Sequence, residues 1–140
     1  PNRPQAGKRM HHNMSPTILL KSQTPFAALG LPGGTKIITV TAQLIVNLID
    51  FHATPKQAVF APRVHSEGEG PIAVSGSMPQ DVVDELTKMG HVVERGQSVG
   101  GPPNEVAGPA NVVTSANHQL DAASSASADA AKVIEIPSSG

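Results

Sequence analysis

The segment that most constrains the fold is "TKIITVTAQLIVNLIDF", residues 35–51. Ile37, Val40, Thr41, Leu44, Leu48 and Phe51 recur at helical spacing, and Ile38, Ile45, Val46 and Ile49 fill most of the remaining surface. The β-branched run is compatible with a strand, but the length selects a helix from Thr35 to about Asp50. A helix apolar nearly all round must be enclosed within a layered fold. It is interrupted by Thr39, Gln43, Asn47 and Asp50 and is too short to span a bilayer. On its own such a helix leaves three outcomes for the chain: partial disorder, self-association, or coverage by its own strands.

Immediately before this helix stands Pro32-Gly33-Gly34. The first N–H groups of a helix have no intrahelical partner, and the helix dipole adds positive potential there. Two glycines let an oxyanion or phosphate approach that backbone closely. The phosphate-loop pattern is absent, because Thr35 precedes Lys36 and only Gly30 lies upstream at short spacing, and GxGxxG is absent too. On spacing alone a simple turn is the favoured reading, with the anion cradle as its alternative.

Around the helix the chain reads as alternating short elements. "SPTILL" and "FAALGL" are two β-type runs joined by "KSQTP", which suits a hairpin. "TPKQAVFAP" has Thr54 as N-cap and Pro55 at the first helical position of a short helix that Pro62 stops. "RVHS" and "IAVSG" are strands around the Gly-rich "EGEGP". "MPQDVVDELTKMGHVVE" gives a helix from Pro79 to Met89 with Val82, Val83, Leu86 and Met89 on one face, Gly90 as its cap and a strand from His91. "NVVTSANHQLDAAS" reads as a last hairpin turning at Asn117-His118. The fold class is therefore α+β and layered. Residues 1–13 form a polar lead-in loop, 14–123 the structured part and 124–140 a low-complexity tail.

With 140 residues the chain can hold one core, yet it has three aromatics, all Phe, and 13 each of Gly and Pro, which fits a portion of a larger fold. The polar start "PNRPQAGKRM" carries no signal peptide and reads as a beginning in mid-protein. The same polarity rules out Pro1 as a catalytic N-terminal amine, which must open a buried strand. A net charge of −1 gives no electrostatic case for nucleic acid or membrane partners. There is no cysteine, and the six histidines form no triplet with Asp or Glu at metal-ligand spacing. No metal or cofactor is expected. His91 reads as a strand-edge residue, and Glu67, Glu69, Asp81, Asp84 and Glu85 as solvated faces.

Taken in order, the motifs resemble the small subunit of the γ-glutamyltransferases, members of the N-terminal nucleophile hydrolase superfamily. "GKRMHHNMSPTILL" is similar to the family's Gly-Lys-Arg-Pro-Leu-Ser-Ser-Met-(Ser/Thr)-Pro-Thr-Ile, and "GLPGGTKIITVTAQLIVNLIDF" to its Gly-Ser-Pro-Gly-Gly and following helix. "AVFAPRVH" looks like Ala-Val-x-Ala-Pro-Arg-x-His, and "LTKMGHVVE" like Leu-x-x-x-Gly-His-x-Val. "GGPPNEV" and "DAASSASADAAKV" are a weaker echo of the C-terminal hairpin and its Ser-Asp-Pro-Arg ending. The match runs from Pro4 to Val133.

The resemblance implies the C-terminal part of an αββα sandwich, in an enzyme that passes a γ-glutamyl group from glutathione or related amides to water, amino acids or peptides. It puts Gly33 and Gly34 on the family's oxyanion-hole glycines. The paired serines that bind the substrate α-carboxylate fall on His12 and Asn13, a departure that alters the pocket. The family's catalytic residue is a threonine exposed by autocleavage at the start of the small subunit, and none stands at the start of this chain. The implied partners are the remainder of the small subunit and the large subunit of the same precursor, and the implied location is periplasmic or extracellular. The alternative is a non-catalytic fragment or paralogue with a structural or binding role, favoured by His12-Asn13 and by the ending without Pro-Arg.

Overall fold

A computed structural model describes residues 3–96, 110–116 and 119–124. The elements are β1 (Thr17–Lys21), β2 (Thr24–Gly30), α1 (Lys36–Ile49), α2 (Pro55–Phe60), β3 (Val64–His65), β4 (Ile72–Val74), α3 (Gln80–Lys88), β5 (Val93–Arg95), β6 (Asn111–Ala116) and β7 (Gln119–Ser124). They form a four-stranded antiparallel sheet in the order β1-β2-β6-β7 and a three-stranded sheet in the order β3-β4-β5. The chain is thus α+β. The final hairpin is present as β6 and β7, while its turn at Asn117-His118 lies outside the described residues, as do Pro1, "GGPPNEV" and the tail beyond Ser124.

The first hairpin is tighter than "KSQTP" suggested. Both strands run into that segment, so that Lys21 pairs with Thr24 across only Ser22 and Gln23. These two residues take φ of 50° and 69°. Consecutive left-handed residues match the twist of a two-residue hairpin, although Asn-Gly adopts them with less strain.

Sheet register explains the core. Thr17, Leu29, Val112 and Ala123 form one rung across the four strands, and Leu29, Val112 and Ala123 are buried. With Ala27 they meet Val40, Leu44 and Leu48 of α1 and Ala58 and Val59 of α2. The neighbouring rung, Ile18-Ala28-Val113-Ala122, points to the other face by the period of two. There Ile18 and Val113 are exposed, beside an open apolar depression that Pro16 and Ala28 also line. The sheet thus carries apolar residues on both faces, one packed on the helices and one open.

Helix α1 follows the same one-sided pattern. Ile37, Val40, Thr41, Leu44 and Leu48 are buried as the periodicity requires, whereas Ile38 is 59% exposed and Val46 and Ile49 are also exposed. The chain's own elements cover one stripe of the helix and leave the other open. Phe51 departs from expectation. It is 73% exposed: α1 ends at Ile49, the Phe51 N–H reaches back to the Val46 carbonyl (3.3 Å), and His52 at a left-handed φ of 50° then turns the chain off the helix axis. Ala53 N–H then returns to the Asn47 carbonyl (2.9 Å).

In α2, Thr54 Oγ1 accepts from Gln57 N–H (3.3 Å) and Gln57 Oε1 accepts from Thr54 N–H (2.9 Å), a reciprocal capping box with Pro55 in the first turn. Strands β4 and β5 are parallel and joined by α3, a βαβ crossover. At the end of α3, Gly90 at φ 94° and His91 return N–H groups to the Thr87 and Leu86 carbonyls (3.0 and 3.1 Å), a Schellman closure. His91 therefore belongs to the helix exit, and the strand begins two residues later at Val93. The apolar face of α3 is only partly covered, with Val83 and Leu86 half-buried, Val82 exposed and Met89 72% exposed.

Candidate active site

Three local rules converge on the mouth of α1. The hairpin register pairs Thr17 with Leu29, so the segment before β1 and the segment after β2 leave the sheet at one end. The first segment carries His12 and Asn13, in irregular chain, with His12 exposed and Asn13 half-buried. The second carries Pro32, Gly33 and Gly34 straight into the helix. Gly34 has φ 60°, the left-handed conformation glycine adopts at least cost, and its carbonyl accepts the Ile37 N–H (3.2 Å) while that of Gly33 accepts the Lys36 N–H (3.2 Å). The N–H groups of Gly33 and Gly34 themselves donate to no group among the described residues. A pair of donors at the positive end of a 14-residue helix suits an anionic oxygen.

Thr35 occupies the N-cap position but does not cap. Its backbone is helical (φ −62°, ψ −26°) and its side chain makes no bond to the helix N–H groups. The hydroxyl donates instead to Oε1 of Glu67, 32 residues further along the chain. The same carboxylate oxygen accepts from His65 Nε2 (3.0 Å), and His65 Nδ1 lies 2.7 Å from Thr39 Oγ1, one turn along α1. An ionised carboxylate only accepts, so Nε2 carries the proton. These bonds hold the Glu67 carboxyl below the ordinary glutamate range, first through Thr35 and then through His65.

The position of His65 follows from β3. Gln43 of α1 donates to the Val64 carbonyl (2.7 Å) and accepts the Val64 N–H (2.9 Å), standing in for a neighbouring strand. This clamp lays His65, 5% exposed, over the first turn of α1. Behind it, Arg63 is buried, donating to the Val59 carbonyl at the end of α2 (2.6 Å), while its backbone pairs with Ser75.

Sequence reasoning placed Glu67 on a solvated face, which its exposure bears out; what that reasoning missed is the engagement of the carboxylate. The side chain is 60% exposed, yet it is engaged on both sides and tied to the glycine turn. The signal available was the pair His65 and Glu67, two residues apart and so on one side of an extended segment. Thr35, at the N-cap of α1, and Thr39, in its first turn, complete the cluster from distant sequence. Among the described residues no group of three His, Cys, Asp or Glu side chains is arranged to hold a metal, and no helix is long and apolar enough to cross a membrane.

Comparison with known proteins places this chain in a family. The gamma-glutamyltranspeptidase family model matches residues 1–134. Acylase ACY 1 proenzyme of Pseudomonas sp. (strain SE83) is 41% identical over 101 residues, 72% of this chain and 18% of that protein. Glutathione hydrolase proenzyme of Escherichia coli (strain K12) is 32% identical over 103 residues, 73% of this chain and again 18% of the relative. Among solved structures, the gamma-glutamyltranspeptidase from Pseudomonas nitroreducens complexed with L-DON superposes with a TM-score of 0.79 at 28% identity, covering 95% of this chain and 68% of that one. The Helicobacter pylori enzyme, as its T380A mutant, gives 0.71 at 35% identity, covering 89% and 65%. The chain belongs to the gamma-glutamyltranspeptidase family, within the N-terminal nucleophile hydrolases. It spans about a fifth of the length of the curated relatives it matches.

Proposed function

We propose that this chain contributes the oxyanion turn to an enzyme that transfers a γ-glutamyl group from glutathione or a related γ-glutamyl amide to water, an amino acid or a peptide. The observation that carries the reading is the Gly33-Gly34 turn, with two undirected N–H donors at the N-terminus of α1. When a threonine hydroxyl attacks the γ-carbonyl, the carbonyl oxygen becomes anionic and the two N–H groups stabilise it more than they stabilise the substrate. Collapse releases the amine and leaves an ester, which water or an acceptor amine then opens at the same turn.

The nucleophile and the group gripping the substrate carboxylate belong to other parts of the precursor, and several relatives are themselves named proenzymes. In the αββα layering proposed for the whole enzyme, the Ile18-Ala28-Val113 face takes the second sheet. Asn13 and His12, at the same end of the hairpin as the turn, are proposed to meet the substrate α-carboxylate as hydrogen-bond donors.

The test is expression of the complete precursor, with assay of γ-glutamyl anilide hydrolysis. Processing at a threonine and turnover lost on its replacement support the reading, and a folded, unprocessed, inactive protein overturns it. That second outcome supports the non-catalytic reading, which His12-Asn13 in place of the family's serines favours.

A further inference from the structure

We propose that Glu67 is a positioning residue for the oxyanion turn: its carboxylate, braced by His65, holds Thr35 and through it fixes the direction of the Gly33 and Gly34 N–H groups. This rests on the function proposed above for its catalytic consequence, but the positioning is a property of the fold.

Three observations carry it. A threonine at an N-cap ordinarily turns its hydroxyl onto the free N–H groups of its own helix. Here the Thr35 hydroxyl is drawn away to Glu67, which leaves the helix mouth open to a ligand. The anchor is itself tethered, because Glu67 is bonded to His65, which is buried, contacts Thr39 and follows the Val64 backbone that Gln43 clamps. The turn, by contrast, has little holding of its own: its internal bonds are two at 3.2 Å, and Gly34 is exposed with open space where a Cβ would be. A glycine pair has wide conformational freedom, so the first side chain after it is the nearest handle by which the fold can set it. Supporting groups of this kind fix the geometry of a site without touching the reacting atoms.

Both bonds go to one oxygen, Oε1, so a glutamine can accept them equally and an alanine cannot. In the complete enzyme, Glu67→Ala is expected to lower kcat about tenfold with KM for the γ-glutamyl donor within about twofold, as for a misplaced catalytic donor. Glu67→Gln is expected to restore kcat to within about twofold of the parent. Thr35→Val, which removes the hydroxyl and keeps the shape, is expected to reproduce the alanine effect and to add little when combined with it. With selective 15N-glycine labelling, the Gly33 and Gly34 amides should each give one resonance in the parent and in Glu67→Gln, and several or broadened ones in Glu67→Ala and Thr35→Val.

Unchanged glycine resonances in both Glu67→Ala and Thr35→Val would overturn the proposal, whatever the activity. A Glu67→Gln variant as impaired as Glu67→Ala, in either readout, would overturn it too, because charge and not hydrogen bonding would then be at work. If the resonances respond as expected while Gly34→Ala leaves turnover intact, positioning stands and the oxyanion role fails. The groups facing Glu67, His65 from β3 and Lys36 from α1, are left unsubstituted in every variant.

Discussion

Replacing Gly34 by alanine perturbs the turn in a way the structure makes calculable. An ideal Cβ at this position meets no heavy atom within 4 Å, so the substitution causes no clash. Its cost is conformational, since φ is 60° and an L-residue held in the left-handed region loses roughly 1–2 kcal/mol. Against this strain stand the two long turn hydrogen bonds at 3.2 Å, worth ~0.5–1.5 kcal/mol each. The two sides nearly balance, so alanine leaves the native φ in a large share of molecules, and the Gly33 and Gly34 N–H groups lose their native orientation. One oxyanion donor is worth ~10²–10³ in kcat, about 2.7–4 kcal/mol. We therefore expect Gly34→Ala to lower kcat about 10²-fold in the complete enzyme while destabilising the fold by only about 1 kcal/mol. Asparagine tolerates the left-handed region better than other non-glycine residues, so Gly34→Asn should lose markedly less. The assay is steady-state hydrolysis of a chromogenic γ-glutamyl anilide, with thermal unfolding in parallel. Folded Ala and Asn variants with kcat within about twofold of the parent would refute the assignment of the turn as donor.

Other outcomes follow from particular residues. Because the folded carboxyl of Glu67 is held below its ordinary value of 4.5, its bonds stabilise the fold fully above that pH, and the contribution is lost as pH falls through the lower folded value. Parent stability relative to Glu67→Gln, followed by denaturant unfolding from pH 7 to pH 3, should be level above about pH 5 and decline below about 4.5. His52→Gly should raise stability by about 0.5–1 kcal/mol, since His52 closes α1 with a φ of 50° that glycine adopts without penalty. Leu44→Ala should cost about 2–5 kcal/mol, because Leu44 is among the largest fully buried side chains of the core between α1 and the sheet.

What the sequence made legible was chemistry that acts within one turn or one strand. The Thr54 cap of α2, the Gly90 closure of α3 and the stripe from Ile37 to Leu48 each depend on near neighbours, and each stands in the structure. Failures arose where distant residues decide. Phe51 has the spacing of a core residue, but no described element packs over it and it is 73% exposed. The open faces of α1 and α3 read as core because periodicity reports that a face is apolar without reporting what covers it. At the site, the glycine pair was visible as a turn at a helix mouth, and the resemblance gave it a role. The Thr35-Glu67-His65-Thr39 chain was not visible, because it joins α1 to the end of β3 across some 30 residues, and Glu67 lies among glycines in a segment that reads as a solvated turn.

The central claim is that Gly33 and Gly34 receive the anionic oxygen of the reacting carbonyl. A crystal structure of the complete, processed enzyme with a glutamate-like electrophile bound to its threonine tests this directly. The account predicts the adduct oxygen about 2.7–3.1 Å from both the Gly33 and Gly34 nitrogens. An adduct oxygen held by other donors, with the two glycine N–H groups facing solvent, would contradict it.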